Sequence, residues 1–290
     1  MRILSDFDGV WTDQAAEARF IQRRLALAAA PILGIEIDEA VADFDAFLAA
    51  TLAAPGENGW WPQGFLTAFV DEDELMATGS VCRWLDAGGD GGQAAERWRV
   101  ALRAAGYASV QDFGSEQFEP AMRAFLEREE HRLVPEARET VHELRAAGIE
   151  LVLVSNSPTD KLRVMFDAIG VHEGDGLRLV GDARKWWIGG ADPQWYVAGR
   201  RVHLDRPYYR EIVARERPDL VIGDVASLDL AIPAVLRSEG VLDSTARLVL
   251  RRGPRSSAWA TGQVDLAPDV RLVDEVVDSV AELTGILERA

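Results

Sequence analysis

Asp6-Phe7-Asp8-Gly9-Val10-Trp11-Thr12 follows the short apolar run Ile3-Leu4 near the start of the chain. The run reads as a strand, with two aspartates where it ends and a turn at Gly9. Ligand sites in open α/β sheets lie outside the carboxyl ends of the strands, so the pair falls at such an edge. Two carboxylates this close suit a division of labour. The first attacks as a nucleophile or binds a metal, and the second, its pKa raised by its charged neighbour, carries a proton. An acidic turn after a strand is the plainer account, and the rest of the chain has to decide between them.

After Pro135 strands and helices alternate. The pattern predicts a helix over Glu136–Ala147, a strand over Ile149–Val154, a helix over Pro158–Ile169 and a strand over Leu177–Val180. Lys185–Val202, with Gly189-Gly190 and Gly199, resembles an inserted hairpin. A helix over Pro207–Arg217, a strand over Leu220–Ile222, a helix over Leu228–Glu239, a strand over Arg247–Leu250 and a strand-helix pair over Val270–Glu288 follow. Such alternation predicts a parallel sheet covered on both faces.

Between these parts apolar residues recur every three and four positions, predicting helices over Ala16–Leu33, Asp38–Ala53, Asp71–Asp86, Gln93–Ala105 and Ser115–His131. Asp38 and Ser115 are the expected N-caps. The predicted fold is α/β, a Rossmann-like doubly wound parallel sheet over residues 1–15 and 133–290, with an all-helical cap domain, residues 16–132, inserted after the first strand.

Three strand ends then share one edge of the sheet: Asp6 and Asp8, Ser155 in Val154-Ser155-Asn156, and Gly223-Asp224 with Asp229 five residues on. Three carboxylates, a hydroxyl and backbone amides can converge there. Hard oxygen ligands in small number, completed by water and a phosphate oxygen, suit Mg2+.

With these residues in place the chain resembles the haloacid dehalogenase superfamily, with a helical cap inserted after the first motif. The resemblance covers the core; the cap matches in position and helical character. It implies that Asp6 is the nucleophile, forming an aspartyl-phosphate, and a Mg2+ ligand, and that Asp8 is general acid and then base, lending its backbone carbonyl to the metal. Ser155 and the amide of Asn156 would hold phosphate oxygens, Asp224 would be the third protein ligand, and Asp229 would bind through water or orient the site. The implied activity is Mg2+-dependent hydrolysis of a small phosphorylated metabolite. A mutase-type phosphotransferase and a catalytically silent binding relative are the alternatives. Asp8 weighs against a dehalogenase, whose chemistry needs no acid there.

One departure concerns the lysine such enzymes place beside the phosphate. Its usual context, Lys-Pro before the helix leading to the metal-aspartate strand, reads Arg206-Pro207 here. Arg206 can serve, since a guanidinium also binds phosphate, and Lys185 is its rival. Of 31 basic residues only Lys161 and Lys185 are lysine, so a lysine that persists is informative. Lys161 reads as a solvated surface charge.

The formal charge of −17 disfavours nucleic acid and anionic membranes. No apolar run reaches the roughly 18 to 20 residues of a membrane span, and no signal peptide is expected. The lone Cys82 permits no internal disulfide and fits a reducing cytoplasm. The oligomeric state is not legible. His131, His142, His172 and His203 lack metal-ligand spacing. Gly89-Asp90-Gly91-Gly92 reads as a flexible linker, Trp60-Trp61 as packed aromatics, and Arg19, Arg23 and Arg24 as a solvated face.

Overall fold

In the computed structural model, which describes the chain except residues 128–132, 175, 192, 256–257, 266 and 289–290, the chain forms two compact units. One joins Met1–Asp13 to Arg132–Ala290 and the other is Gln14–His131. In chain order the elements are β1 (Arg2–Ser5), α1 (Gln14–Leu33), α2 (Ile37–Ala53), β2 (Gly59–Trp60), β3 (Ala68–Phe69), α3 (Met76–Asp86), α4 (Gly92–Ala104) and α5 (Val110–Leu126). There follow α6 (Ala137–Ala146), β4 (Glu150–Val154), α7 (Thr159–Ala168), β5 (Leu177–Val180), β6 (Gln194–Val197), β7 (Arg200–His203) and α8 (Pro207–Glu216). The last are β8 (Leu220–Gly223), α9 (Ala231–Ser238), β9 (Arg247–Arg251), β10 (Gln263–Val264), β11 (Ala267–Arg271), β12 (Glu275–Val277) and α10 (Leu283–Glu288).

The first unit is built on a six-stranded sheet in the order β12-β9-β8-β1-β4-β5, and every pairing in it is parallel. A strand with neighbours on both edges and helices on both faces must be apolar throughout, and Ile3 and Leu4 are buried accordingly. The register then places the site. Ser5 pairs with Leu153 on one side and Ile222 on the other, so the residues just after β1, β4 and β8 emerge together. The chain runs from β1 outward to β4 and β5 and then returns to β8, which makes the end of β1 a topological switch point.

Below that edge Phe7 turns into the core between the two aspartates. Its ring lies 5.9 Å from Phe166, and Trp11 lies 5.8 Å from the same ring. Trp11 is fully buried, and its indole N–H is satisfied by the Ser5 hydroxyl at 2.8 Å.

Two expectations for this unit change. The expected hairpin is present as β6 and β7, but it belongs to a second, antiparallel sheet in the order β11-β10-β6-β7. The run near Val270 is part of that sheet, because Val264 pairs with both Ala267 and Val197. The edge of the parallel sheet goes instead to β12.

At the opposite end of the strands Glu216 closes α8 with its side chain buried, accepting hydrogen bonds from Arg178 and from Arg215 at 3.0 Å, with Arg2 at 3.7 Å. Burial alone would raise its pKa, but the hydrogen bonds and charges of Arg215 and Arg178 outweigh it and hold the carboxyl below 4.5. A lowered carboxylate stabilises the fold above its ordinary value and loses that contribution as pH falls through the folded value. Glu216→Gln should therefore cost about 1.5–3 kcal/mol near pH 7, with the gap to wild type closing under acid. Urea unfolding at pH 7 and near pH 3.5 checks this, and a gap that stays constant contradicts it.

Among its described residues the second unit packs five helices around Leu25, Phe44, Phe47, Val81, Trp98 and Phe113, and it also contains the antiparallel pair β2–β3, which the expected all-helical cap did not include. Phe47 is the hub, 5.7 Å from Trp84 and edge-on to Trp98 at 5.9 Å. The expected N-caps are displaced. Ser109, not Ser115, caps α5 by accepting from the Asp112 N–H at 2.9 Å, while Asp86 accepts from the N–H groups of Val110 and Gln111 at 2.9 Å each. Asp38 lies inside the first turn of α2. The expected continuation of the last helix to His131 lies outside the described residues.

The Gly-rich run before α4 is pinned rather than loose. The Gly89 N–H donates to the Trp84 carbonyl at 2.9 Å, and the Gly89 carbonyl accepts from Arg99 at 3.3 Å. Trp60 and Trp61 are half-buried, with the Arg83 guanidinium 5.2 Å above the Trp61 ring. Arg19, Arg23 and Arg24 are exposed. Cys82 is buried in the core, its thiol pushed up to about 12 by burial and then by Asp86. Among the described residues no helix is long and apolar enough to cross a membrane.

Candidate active site

The Asp6 N–H still donates to the Ile222 carbonyl at 2.9 Å, so Asp6 continues the ladder while its side chain reaches the sheet edge. The loop beyond is closed by its own residues. The Gly9 N–H donates to the Thr12 hydroxyl at 3.0 Å, the Trp11 N–H to the Phe7 carbonyl at 2.9 Å, and Arg251 to the Gly9 carbonyl at 3.1 Å. Thr12 and Arg251 thus hold Asp8 at a fixed place after Asp6.

From β8 come the other carboxylates. Asp224 follows the strand, and a π-turn over Ala226–Leu230 carries Asp229. A Cβ on Gly223 would lie 2.3 Å from the Asp229 Cβ, so only glycine lets this turn pack on the strand end. Asp229 is locked there: its Oδ2 accepts from the Val225 N–H at 3.1 Å, and its carbonyl accepts from the Tyr209 hydroxyl at 2.9 Å. Asp6, Asp224 and Asp229 each offer an oxygen within 4.8 Å of the others.

The two rival cations are placed differently. Lys185, buried, puts its Nζ 2.7 Å from Asp6 Oδ1 and 2.9 Å from Asp229 Oδ1, with the Tyr209 ring centroid 5.3 Å away. Arg206, also buried, donates to the Lys185 carbonyl at 2.7 Å and the His203 carbonyl at 3.1 Å.

The segment bearing Lys185 is folded back over the β4 loop. Its Asp182, Ala183 and Lys185 N–H groups donate to the Ser157 carbonyl, the Ser155 carbonyl and the Asn156 Oδ1 at 3.0, 2.9 and 2.8 Å. Asp182 and Arg184 take φ of 52° and 48° to do so, a conformation that side-chain-bearing residues adopt at a cost. Asn156 therefore positions the lysine segment through its side chain.

Asp8 faces a second set of donors. Its Oδ2 accepts from the Ser155 and Ser157 hydroxyls at 3.0 and 2.7 Å, and its Oδ1 accepts from Lys161 Nζ at 2.8 Å. This corrects the expectation of a solvated Lys161. Its side chain is 6% exposed, because the second residue of α7 past the helix start points it back at the sheet edge.

The electrostatics also reverse the expected assignment of the raised pKa. Burial, then the charge of Asp229, pushes Asp6 up to about 7 against the pull of Lys185. Burial would raise Asp8 too, but Lys161 and the two serine hydroxyls more than offset it and hold Asp8 below its ordinary value. The sequence showed Asp8 only its like-charged neighbour, and its cation lies 153 residues away. Lys185, despite a burial that lowers its pKa, is held firmly charged by Asp229 and Asp6.

The Lys185 ammonium pairs with two of the three clustered carboxylates, Asp6 and Asp229. An all-oxygen donor set of this kind fits a hard divalent cation, and Asp6, Asp224 and Asp229 are the side chains that would hold it. The Asp8 carboxylate lies outside that group. Sequence reasoning missed Lys161, Ser157 and Tyr209; the scarcity of lysine was the available signal for the first.

No curated protein matches the chain. Among solved structures, a HAD phosphatase from Thermococcus onnurineus is 14% identical with a TM-score of 0.49, covering 99% of this chain and 97% of that one. The 2-haloacid dehalogenase from Pseudomonas syringae pv. Tomato DC3000 is 18% identical with a TM-score of 0.43, covering 99% and 98%. The family model of haloacid dehalogenase-like hydrolases matches residues 2–202, a span that includes Asp6, Asp8, Ser155, Lys161 and Lys185 and ends before Asp224 and Asp229. The chain belongs to the haloacid dehalogenase-like hydrolases.

Proposed function

We propose that the protein is a Mg2+-dependent phosphatase acting on a small phosphorylated metabolite. The observation that carries this reading is the separation of the two aspartates' surroundings. Asp6 sits with the carboxylate group and Lys185, and Asp8 sits apart among Ser155, Ser157 and Lys161. A dehalogenase needs the first aspartate but has no task for the second.

In the proposed reaction an Asp6 oxygen attacks phosphorus and the ester P–O bond breaks. The departing oxygen takes a proton from Asp8, leaving an aspartyl-phosphate; because Lys161 and the serine hydroxyls hold Asp8 ionised in the free protein, that proton must first reach it from solvent or from the monoanionic phosphate. Water then attacks phosphorus and gives a proton to Asp8, releasing inorganic phosphate and restoring Asp6. Lys185 offsets charge on Asp6 and the transferring group, while the Asn156 backbone N–H and the Ser155 hydroxyl, turned from Asp8 to the substrate, hold phosphate oxygens. When bound, the metal ion supplies charge neutralisation of the phosphoryl oxygens. The helical unit Gln14–His131 is assigned substrate selection, and the single buried Cys82 suits a reducing cytoplasm.

The test is release of phosphate from p-nitrophenyl phosphate with Mg2+ and with chelator, beside chloride release from a 2-chloro acid. Stoichiometric free phosphate that requires the metal supports a phosphatase. Chloride release without phosphate release overturns it, and phosphate passed to an added alcohol or sugar points to a transferase.

Asp8→Asn should keep the fold and slow hydrolysis of an alkyl phosphate by about two to four orders of magnitude. An aryl phosphate, whose leaving group needs less protonation, should lose much less. Equal losses on both esters would remove Asp8 from the acid role.

A further inference from the structure

The geometry points to Lys161 as a positioning residue for the proton-transfer step, holding the one Asp8 oxygen that the serine hydroxyls do not. The inference rests on the phosphatase reading.

A general acid works only when its carboxyl oxygen stands within about 2.6–3.2 Å of the atom it protonates. An aspartate on a loop has two side-chain torsions with which to miss that place. Here Ser157 holds Oδ2 at 2.7 Å, with Ser155 at 3.0 Å in the free protein, which still leaves the carboxylate free to pivot about that oxygen. Lys161 Nζ at 2.8 Å from Oδ1 stops the pivot. The same ammonium also donates to the Ser157 hydroxyl at 3.4 Å, so lysine, serine and aspartate form a closed cage. The Ser157 N–H donates to the Ser155 hydroxyl at 3.0 Å, and the Gly181 N–H donates to Thr159 at 3.0 Å at the start of the helix that carries Lys161. The cage is therefore anchored to the β4 and β5 ends.

Composition supports a specific role. Among 31 Lys and Arg residues only two are lysine, and each is paired with one aspartate of the opening motif, Lys185 with Asp6 and Lys161 with Asp8. A compact ammonium can direct separate donors at a carboxylate and a hydroxyl in a narrow place, where a planar guanidinium fork imposes its own geometry.

The experiment uses the full chain with Mg2+ and a series of phosphate monoesters running from p-nitrophenyl phosphate to a simple alkyl phosphate. Lys161→Met should lower kcat about 10- to 100-fold on the alkyl ester, as loss of an orienting partner does. On the aryl ester kcat should stay within about threefold, because little protonation is needed there. KM and the Mg2+ half-saturation should hold, since the substitution removes only a contact to the Asp8 side chain and leaves in place the backbone carbonyl assigned to the metal. In an Asp8→Asn background the same substitution should cost nothing further, because a residue acting through Asp8 has nothing left to position.

Should Lys161→Met fail to fold, Ser157→Ala removes a single hydroxyl from the same cage and should show the same selectivity at smaller size. Equal losses on all esters, or a full additional loss in the double variant, overturn the inference while leaving the phosphatase reading in place. A wild-type chain that hydrolyses no phosphate ester overturns both.

Discussion

Asp6→Asn is expected to abolish phosphate release, with a loss beyond about a thousandfold, because in the proposed reaction one side chain would serve as both nucleophile and metal ligand. The variant should nonetheless be as well folded as the wild type. Asp6 is held near 7 in the folded chain against an ordinary 3.8, so the folded state resists its ionisation and loses stability as pH rises from 3.8 through about 7. Asparagine removes that opposition. Without metal at pH 8 the variant should melt no lower than the wild type, which separates chemical from structural failure. Retention of more than a tenth of the activity would sink the nucleophile assignment.

Lys185→Ala is expected to lower turnover by about two to three orders of magnitude, the scale on which a preorganised donor at a water-poor reaction centre acts. It also strands Asp6 and Asp229 without their ammonium, so metal-free protein should lose several kcal/mol, about 3–5 for a broken buried pair. Mg2+ should restore part of that loss, which thermal melting with and without the ion will read. Arg206→Ala is the control. Its guanidinium reaches backbone carbonyls at Lys185 and His203, so its loss should fall more on melting temperature than on kcat. A well-folded Arg206→Ala chain as inactive as Lys185→Ala would transfer the phosphate-side role to the arginine.

What was legible in the sequence followed from contacts that repeat or lie close along the chain. The parallel sheet could be read because β1, β4 and β8 carry unbroken apolar runs, Ile3-Leu4, Leu151-Val152-Leu153-Val154 and Leu220-Val221-Ile222, a pattern that two-sided burial imposes and that needs no knowledge of partners. The grouping of Asp6, Asp224 and Asp229 could be anticipated because all follow strand ends, and parallel register carries strand ends to one edge. The helical unit could be read from periodicity, but its caps could not. Ser109 caps α5 from the residue just before it and Asp86 from the end of α3, and only the second requires α3 to be beside it.

The Lys161 contact was hidden for a related reason. A lysine in the first turn of a helix looks solvated until the loop that faces it is known, and that loop is separated from it by the entire helical insertion. The second sheet was obscured because two-residue β10 carries almost no pattern of its own, yet it joins β6 to β11.

The bond from Arg206 to the Lys185 carbonyl bears on how the protein can be rebuilt. It fastens together the two points where the hairpin-bearing stretch leaves and rejoins the sheet domain, and the Gly189 N–H on the Asp205 carbonyl at 3.0 Å is a second clasp just beyond. A stretch whose ends are already closed can change length cheaply, at about 0.6 kcal/mol for each doubling. The turn between β6 and β7, inside the clasps, is thus the place expected to take a longer loop without moving Lys185, while β6 itself stays paired to β10.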